Sequence, residues 1–208
     1  MIPTKPRKGK QKLRIFPLIL VFVCLALIVV GLLHVIKIKY TVKGESYYFF
    51  CVKQTDDAYE AECCIVDTQK KGGAGYAYSN LGQYYIMASV YLDEDTASSI
   101  ARKNGGTVFS LSFPSLSFFN KNQAQEQSVL YTKICGYIHS LITLSYGFDT
   151  KKESADTVFL ELENYENTIK TDSHPVFSGL NLKKFENFGV NLKYYACDLI
   201  FTAYKYFC

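Results

Sequence analysis

Apolar residues fall along this chain in three regimes. Ile15 to Ile36 is a 22-residue run interrupted only by Pro17, Gly31 and His34. At about 1.5 Å of rise per residue a helix of that length spans roughly 33 Å, enough for a hydrocarbon core of about 30 Å, and the run predicts a transmembrane helix. A cleavable leader would have an apolar region of about 7 to 15 residues before a small-residue cleavage site; here Lys37-Ile38-Lys39-Tyr40 follows. From Tyr47 the apolar residues shorten into strand-length runs, and beyond residue 127 they recur at three and four residues.

The middle regime is a unit that occurs twice, from Tyr47 to Tyr78 and from Tyr84 to Phe113. Each copy opens on an aromatic and aliphatic run, Tyr47 to Val52 and Tyr84 to Ala88, of strand character. An acidic cluster follows, Thr55-Asp56-Asp57 or Asp93-Glu94-Asp95, which supplies N-caps and negative charge at the positive end of a helix. Asp57 and Glu60 stand at capping-box spacing. Ala58, Ala61 and Ile65, then Ala97, Ile100 and Ala101, give each short helix an apolar stripe. Lys70-Lys71-Gly72-Gly73 and Arg102-Lys103-Asn104-Gly105-Gly106 stop both helices alike, with cations in the last turn and glycine at the left-handed cap. A closing strand follows each, Ala74 to Tyr78 and Thr107 to Phe113.

Strand, helix, strand, twice over, with these residues resembles the SPOR (sporulation-related) repeat domain, a bacterial module that binds peptidoglycan glycan strands stripped of their stem peptides. Tyr84-Tyr85-Ile86-Met87-Ala88-Ser89-Val90-Tyr91 with Asp93, Glu94, Ala97 and Ile100 follows the family pattern more closely than the first copy. There, Phe50, Val52 and Gln54 stand where the family usually has Gln, Gly and Phe. The resemblance implies an α+β class: a ferredoxin-like βαββαβ domain with a four-stranded antiparallel sheet over residues 44–113. The expected organisation is a basic cytoplasmic tail (1–14), the membrane helix (15–36), the SPOR-like domain (44–113) and a helical domain (114–208).

In the last segment Leu130, Ile134, Ile138, Leu141 and Ile142 share one helical face, as do Ala155, Val158, Leu162, Tyr165 and Ile169. A third helix is predicted from about Leu182 or Phe185 to Phe207. Gly147-Phe148-Asp149-Thr150 and Asp172-Ser173-His174-Pro175 are the breaks. The prediction is a C-terminal helical hairpin or three-helix bundle.

Charge sharpens the assignment of compartments. Lys5, Arg7, Lys8, Lys10, Lys12 and Arg14 precede the apolar run and Lys37, Lys39 and Lys43 follow it, a bias that places the N-terminus in the cytoplasm and the rest outside a bacterial cell membrane. Without those nine, residues 44–208 carry 14 basic and 19 acidic groups, a balance of −5. That excludes a nucleic-acid partner, which needs a basic patch.

Candidate chemistry is sparse. Seven cysteines and three histidines include no C-x-x-C pair and no zinc spacing. In an exported domain one disulfide is open to them, while buried free thiols are the reading that the burial tendency of cysteine favours. Cys135 and His139 share a helical face, but inside an apolar stripe with no orienting carboxylate nearby in sequence. The acidic clusters are explained as caps rather than as the paired carboxylates of a glycan hydrolase. No catalytic residue, metal or cofactor is expected, and the prediction is a binding protein.

Strand alternation places Tyr47, Phe49, Cys51, Tyr84, Ile86 and Ala88 toward the two helices, and Tyr48, Phe50, Val52, Tyr85, Met87 and Ser89 on the opposite sheet face. The resemblance makes that helix-free face the glycan site. Its apolar character leaves two uses open: stacking on sugar rings, or packing against the C-terminal helices or an envelope protein partner. The expected function is glycan binding in sporulation or cell division, with a scaffold that has lost sugar binding as the alternative.

Overall fold

The computed structural model describes residues 27–28, 40–181 and 183–208. After a short strand β1 (Tyr40–Val42), the first repeat folds as β2 (Ser46–Thr55), α1 (Ala58–Lys70) and β3 (Tyr76–Asn80). The second folds as β4 (Gln83–Tyr91), α2 (Glu94–Asn104) and β5 (Thr107–Ser112). Asp57 caps α1 by accepting from the amides of Tyr59 and Glu60 at 2.7 and 3.1 Å, and Asp93 caps α2 through the Thr96 amide at 2.7 Å. The Glu60 carboxylate turns to Thr55 and Lys53 rather than back to the cap, so only half of a capping box forms. Gly72 and Gly105 end the helices with φ of +82° and +73°, a conformation that glycine adopts without a Cβ penalty.

The four long strands form an antiparallel sheet in the order β3-β4-β2-β5. A second, two-stranded sheet joins β1 to β6 (Leu116–Phe118), with Tyr40 opposite Phe118. Beyond it run α3 (Lys121–Asp149), α4 (Ala155–Thr171), the single turn α5 (Pro175–Ser178) and α6 (Phe188–Phe207).

This architecture corrects the expected fold class. The expectation is a ferredoxin-like SPOR-type unit with a four-stranded antiparallel sheet, preceded by a transmembrane helix and followed by a helical hairpin or three-helix bundle; among the described residues the chain is instead an α+β fold of two sheets and six helices. The C-terminal helices do not make a core of their own: Tyr47, Phe49, Met87 and Leu111 from the sheet belong to the same buried cluster as Ile134, Leu162 and Leu199. The reason lies in α6, which is buried on nearly every side, from Gly189 to Ile200 without a break, and so needs the sheet as well as α3 to cover it. Of the predicted membrane helix at 15–36, all but residues 27 and 28 lie outside the described residues. No helix among the described residues is long and apolar enough to cross a membrane.

Two irregularities in the β2–β4 ladder decide which side chain reaches which face. Phe50 pairs with Ser89 and Cys51 with Met87, so Ala88 is an extra residue on β4; Lys53 then pairs with Ile86, so Val52 is an extra residue on β2. Tyr47, Phe49, Cys51, Met87 and Val90 therefore turn toward the C-terminal helices. Phe50 and Ala88 turn the other way, to Ala101 of α2, with Val52, Tyr91, Ile100 and Val108 around them.

Candidate functional site

The sheet face expected to be free of helices is covered by α6. Phe201 lies 4.5 Å from the ring of Tyr78 and 5.3 Å from that of Tyr76, stacked on both, and 5.1 Å from Phe49. Of the six residues expected together on an open face, Met87 is fully buried here, and Tyr85 packs against Phe109 at 5.2 Å with its hydroxyl 3.4 Å from Gln54. The other four lie elsewhere. Phe50, Val52 and Ser89 are on the side of α1 and α2, and Tyr48 pairs in register with Tyr91 on that same side. Tyr47, Phe49 and Cys51, expected under the helices, face away from them. The physical cause is the pair of bulges, which shift the period-two alternation.

What remains open is a cleft of about 820 Å³ between α1 and α2, with the sheet as its floor. It exists because both helices approach the sheet through small residues. Ala61 and Thr68 are the buried residues of α1, and Ala97 and Ala101 those of α2, so no large side chain fills the gap. Phe50, Val52, Ala88, Ser89 and Tyr91 line the floor. Glu60, Cys63, Cys64, Asp67 and Lys71, three and four residues apart, project from α1 as one wall, with Ile100 and Asn104 of α2 opposite.

The far end of the cleft is closed by Lys193 of α6. Its ammonium donates to the Gly72 carbonyl at 2.7 Å and to Asp149 at 2.9 Å, with the side chain only 10% exposed. Lys53, Lys71 and Lys193 balance Glu60, Asp67 and Asp149 around the rim. Hydrogen bonding to Lys53 lowers the Glu60 carboxyl below its usual range, and the same bond raises Lys53. Burial raises the Tyr91 hydroxyl, which accepts a hydrogen bond from Ser89 at 2.8 Å. Lys193, Asp149, Asp67 and Asn104 carried no signal as a set, because four elements distant in sequence deliver them.

A second cluster surrounds Cys135. His139 Nε2 lies 2.8 Å from Glu45 Oε2, and the Tyr47 hydroxyl donates to the same oxygen at 3.0 Å. Glu45 is thus the carboxylate that the sequence did not place near His139. Burial pushes the Cys135 thiol up to about 11. Cys51, Cys135 and Cys197 are buried free thiols, and Cys63 and Cys208 are exposed.

No family model matches the chain, and no curated protein matches it. Among solved structures it is similar to the solution structure of the peptidoglycan-binding domain of the B. subtilis cell wall lytic enzyme CwlC. That similarity spans 33% of this chain and 90% of that one, at 14% identity and a TM-score of 0.27.

Proposed function

We propose that this protein is a non-catalytic binding module of the bacterial cell envelope that takes peptidoglycan glycan strands, in sporulation or cell division, through the cleft between α1 and α2. The observation that carries the reading is the cleft itself. Its volume lies within the range of small-ligand sites, about 300 to 1,000 Å³. Its floor is apolar and carries the Tyr91 ring, while its walls hold carboxylates and an amide suited to hydroxyl groups. Its balanced charge favours a polyhydroxylated ligand over a polyanion. The exposed Lys71, outside every ion pair among the described residues, is available for the single carboxylate on each disaccharide of stripped glycan.

Absence of catalysis is part of the proposal. Burial holds the thiol of Cys135 in its protonated form, which is not the nucleophilic one.

Sedimentation of the full-length protein with purified sacculi, before and after an amidase strips the stem peptides, tests the reading. Enrichment on stripped glycan is expected, with retention at least tenfold weaker in an Asp67→Ala, Asn104→Ala double variant. Equal retention on both sacculi, or none, would favour the second reading, a scaffold that has lost glycan binding and joins envelope proteins. The covering of the opposite sheet face by α6 is what speaks for that alternative.

The localisation that accompanies this proposal is the outer face of the bacterial cell membrane with residues 1–14 in the cytoplasm, supported by the charge bias around residues 15–36. Protease added to protoplasts is expected to digest epitopes beyond residue 44 and spare one at the N-terminus. Protection of both would refute this orientation.

A further inference from the structure

A smaller cavity of about 210 Å³ lies across α1 from the cleft and shares no lining residue with it. Ile65 and Gln69 of α1, Gly75 to Ala77 at the start of β3, Asn181 and Lys183 of the segment before α6, and Tyr194 and Asp198 of α6 surround it. We propose that this cavity binds an organic ammonium group, with the Asp198 carboxylate as counter-ion and the rings of Tyr76 and Tyr194 as its walls.

The first ground is a buried carboxylate that no cation contacts directly, Lys205 and Lys183 acting on it only from farther off. Asp198 is 5% exposed, yet it forms no ion pair among the described residues. A buried carboxylate is ordinarily paired or metal-bound. Its oxygens receive two hydrogen bonds, from the Asn181 amide at 2.6 Å and, more loosely, from the Tyr76 hydroxyl at 3.4 Å. With about four acceptor positions on a carboxylate, capacity for a donor remains.

The second ground is the walls. The Tyr76 and Tyr194 rings meet edge to face at 5.3 Å, and the ring faces of tyrosine attract cations within about 6 Å. One such contact already exists at the mouth, where the Lys183 ammonium stands 5.8 Å from the Tyr194 ring centroid. Size sets the class of ligand. At about 30 Å³ per water-sized group the cavity has room for roughly seven heavy atoms. That admits a primary or methylated ammonium with a short alkyl tail, or the amino end of a longer chain. A bound ammonium would tie α1 and β3 of the repeats to α6.

Calorimetric titration of the full-length protein with n-butylammonium and tetramethylammonium chlorides tests the proposal, with n-butanol as the neutral isostere. At pH 7.5 at least one of the two cations is expected to bind and the alcohol is not; which cation binds more tightly separates a primary from a quaternary ligand. Affinity should fall at least tenfold in Asp198→Asn and severalfold in Tyr194→Leu, which leaves the carboxylate in place. It should also fall at least tenfold at pH 4.5. Tyr76 of β3, Tyr165 of α4, Lys183, and Tyr194, Tyr195, Cys197 and Lys205 of α6 also act on Asp198. Burial raises those phenols and the thiol, so they stay neutral across that interval while Asp198 changes state. Equal affinity in wild type and Asp198→Asn, or binding of the alcohol as strong as that of the cations, would overturn the assignment.

Discussion

Replacing Phe201 by alanine is expected to lower the unfolding free energy by about 3–5 kcal/mol, the usual cost of removing a buried aromatic ring from a core. The ring is 1% exposed and touches Phe49 of β2 and Tyr76 and Tyr78 of β3, so it joins α6 to two strands of the sheet at once. For a domain with about 5–15 kcal/mol of total stability this is a large share. Urea denaturation should show the midpoint falling accordingly, with Phe201→Leu recovering most of it. Deleting residues 114–208 goes further. It uncovers Tyr47, Phe49, Met87, Val90 and Leu111 together, and the truncated chain is expected to aggregate, whereas Phe50 stays covered by α2. A Phe201→Ala protein as stable as wild type would show that α6 is not the cover of the sheet.

Local features of this fold were legible because they depend on few residues. Asp57, Asp93 and Gly105 act as the caps that their positions suggest. The helical stripes Ile134, Ile138, Leu141 and Val158, Leu162, Tyr165, Ile169 are buried as three-and-four spacing requires. The start of α3 was less clear. Its first turns lie in the polar stretch 120–127, capped by Asn120, and they carry no apolar stripe because only Ala124 among them is buried.

The faces of the sheet were not legible, for a physical reason. Alternation reports a face only where one side is polar, and this sheet is covered on both sides, so Tyr47 to Val52 reads as a continuous apolar run. A shift of one residue exchanges the two faces without changing the pattern. The bulges at Ala88 and Val52 make that shift, and neither position holds a glycine or proline to mark it. Phe50 thus lines the helix-side cleft with Val52 and Ser89, while Met87 is fully buried on the other face and Tyr85 packs there against Tyr78 and Phe109. Likewise Lys193 and Asp198 stand where a periodic reading puts the solvent side of the last helix. Both are buried, 8% and 5% exposed, because that helix is enclosed all round.

The largest pH effect is expected at Asp198. Burial pushes its carboxyl up from 3.8 to about 6, against the lowering effects of the Asn181 amide, the Tyr76 hydroxyl and the lysines 205 and 183. A group whose pKa is higher folded than unfolded favours folding when protonated. The contribution of Asp198 is therefore fully present below about pH 4 and is lost as the pH rises through about 6. A shift of about two pH units corresponds to roughly 3 kcal/mol at about 1.4 kcal/mol per unit. Asparagine removes the charge and keeps an oxygen for the Asn181 amide. Asp198→Asn should accordingly match wild type near pH 4 and exceed it by about 2–3 kcal/mol at pH 7.5. Glu166 and Asp172, whose carboxyls are lowered in the fold, act in the opposite direction and cancel in the difference between the two proteins. Urea denaturation of both at the two pH values measures that difference directly. A gain of the same size at pH 4 and pH 7.5 would mean that Asp198 is not charged at a cost in the folded protein, and the buried anion on which the ammonium site depends would be absent.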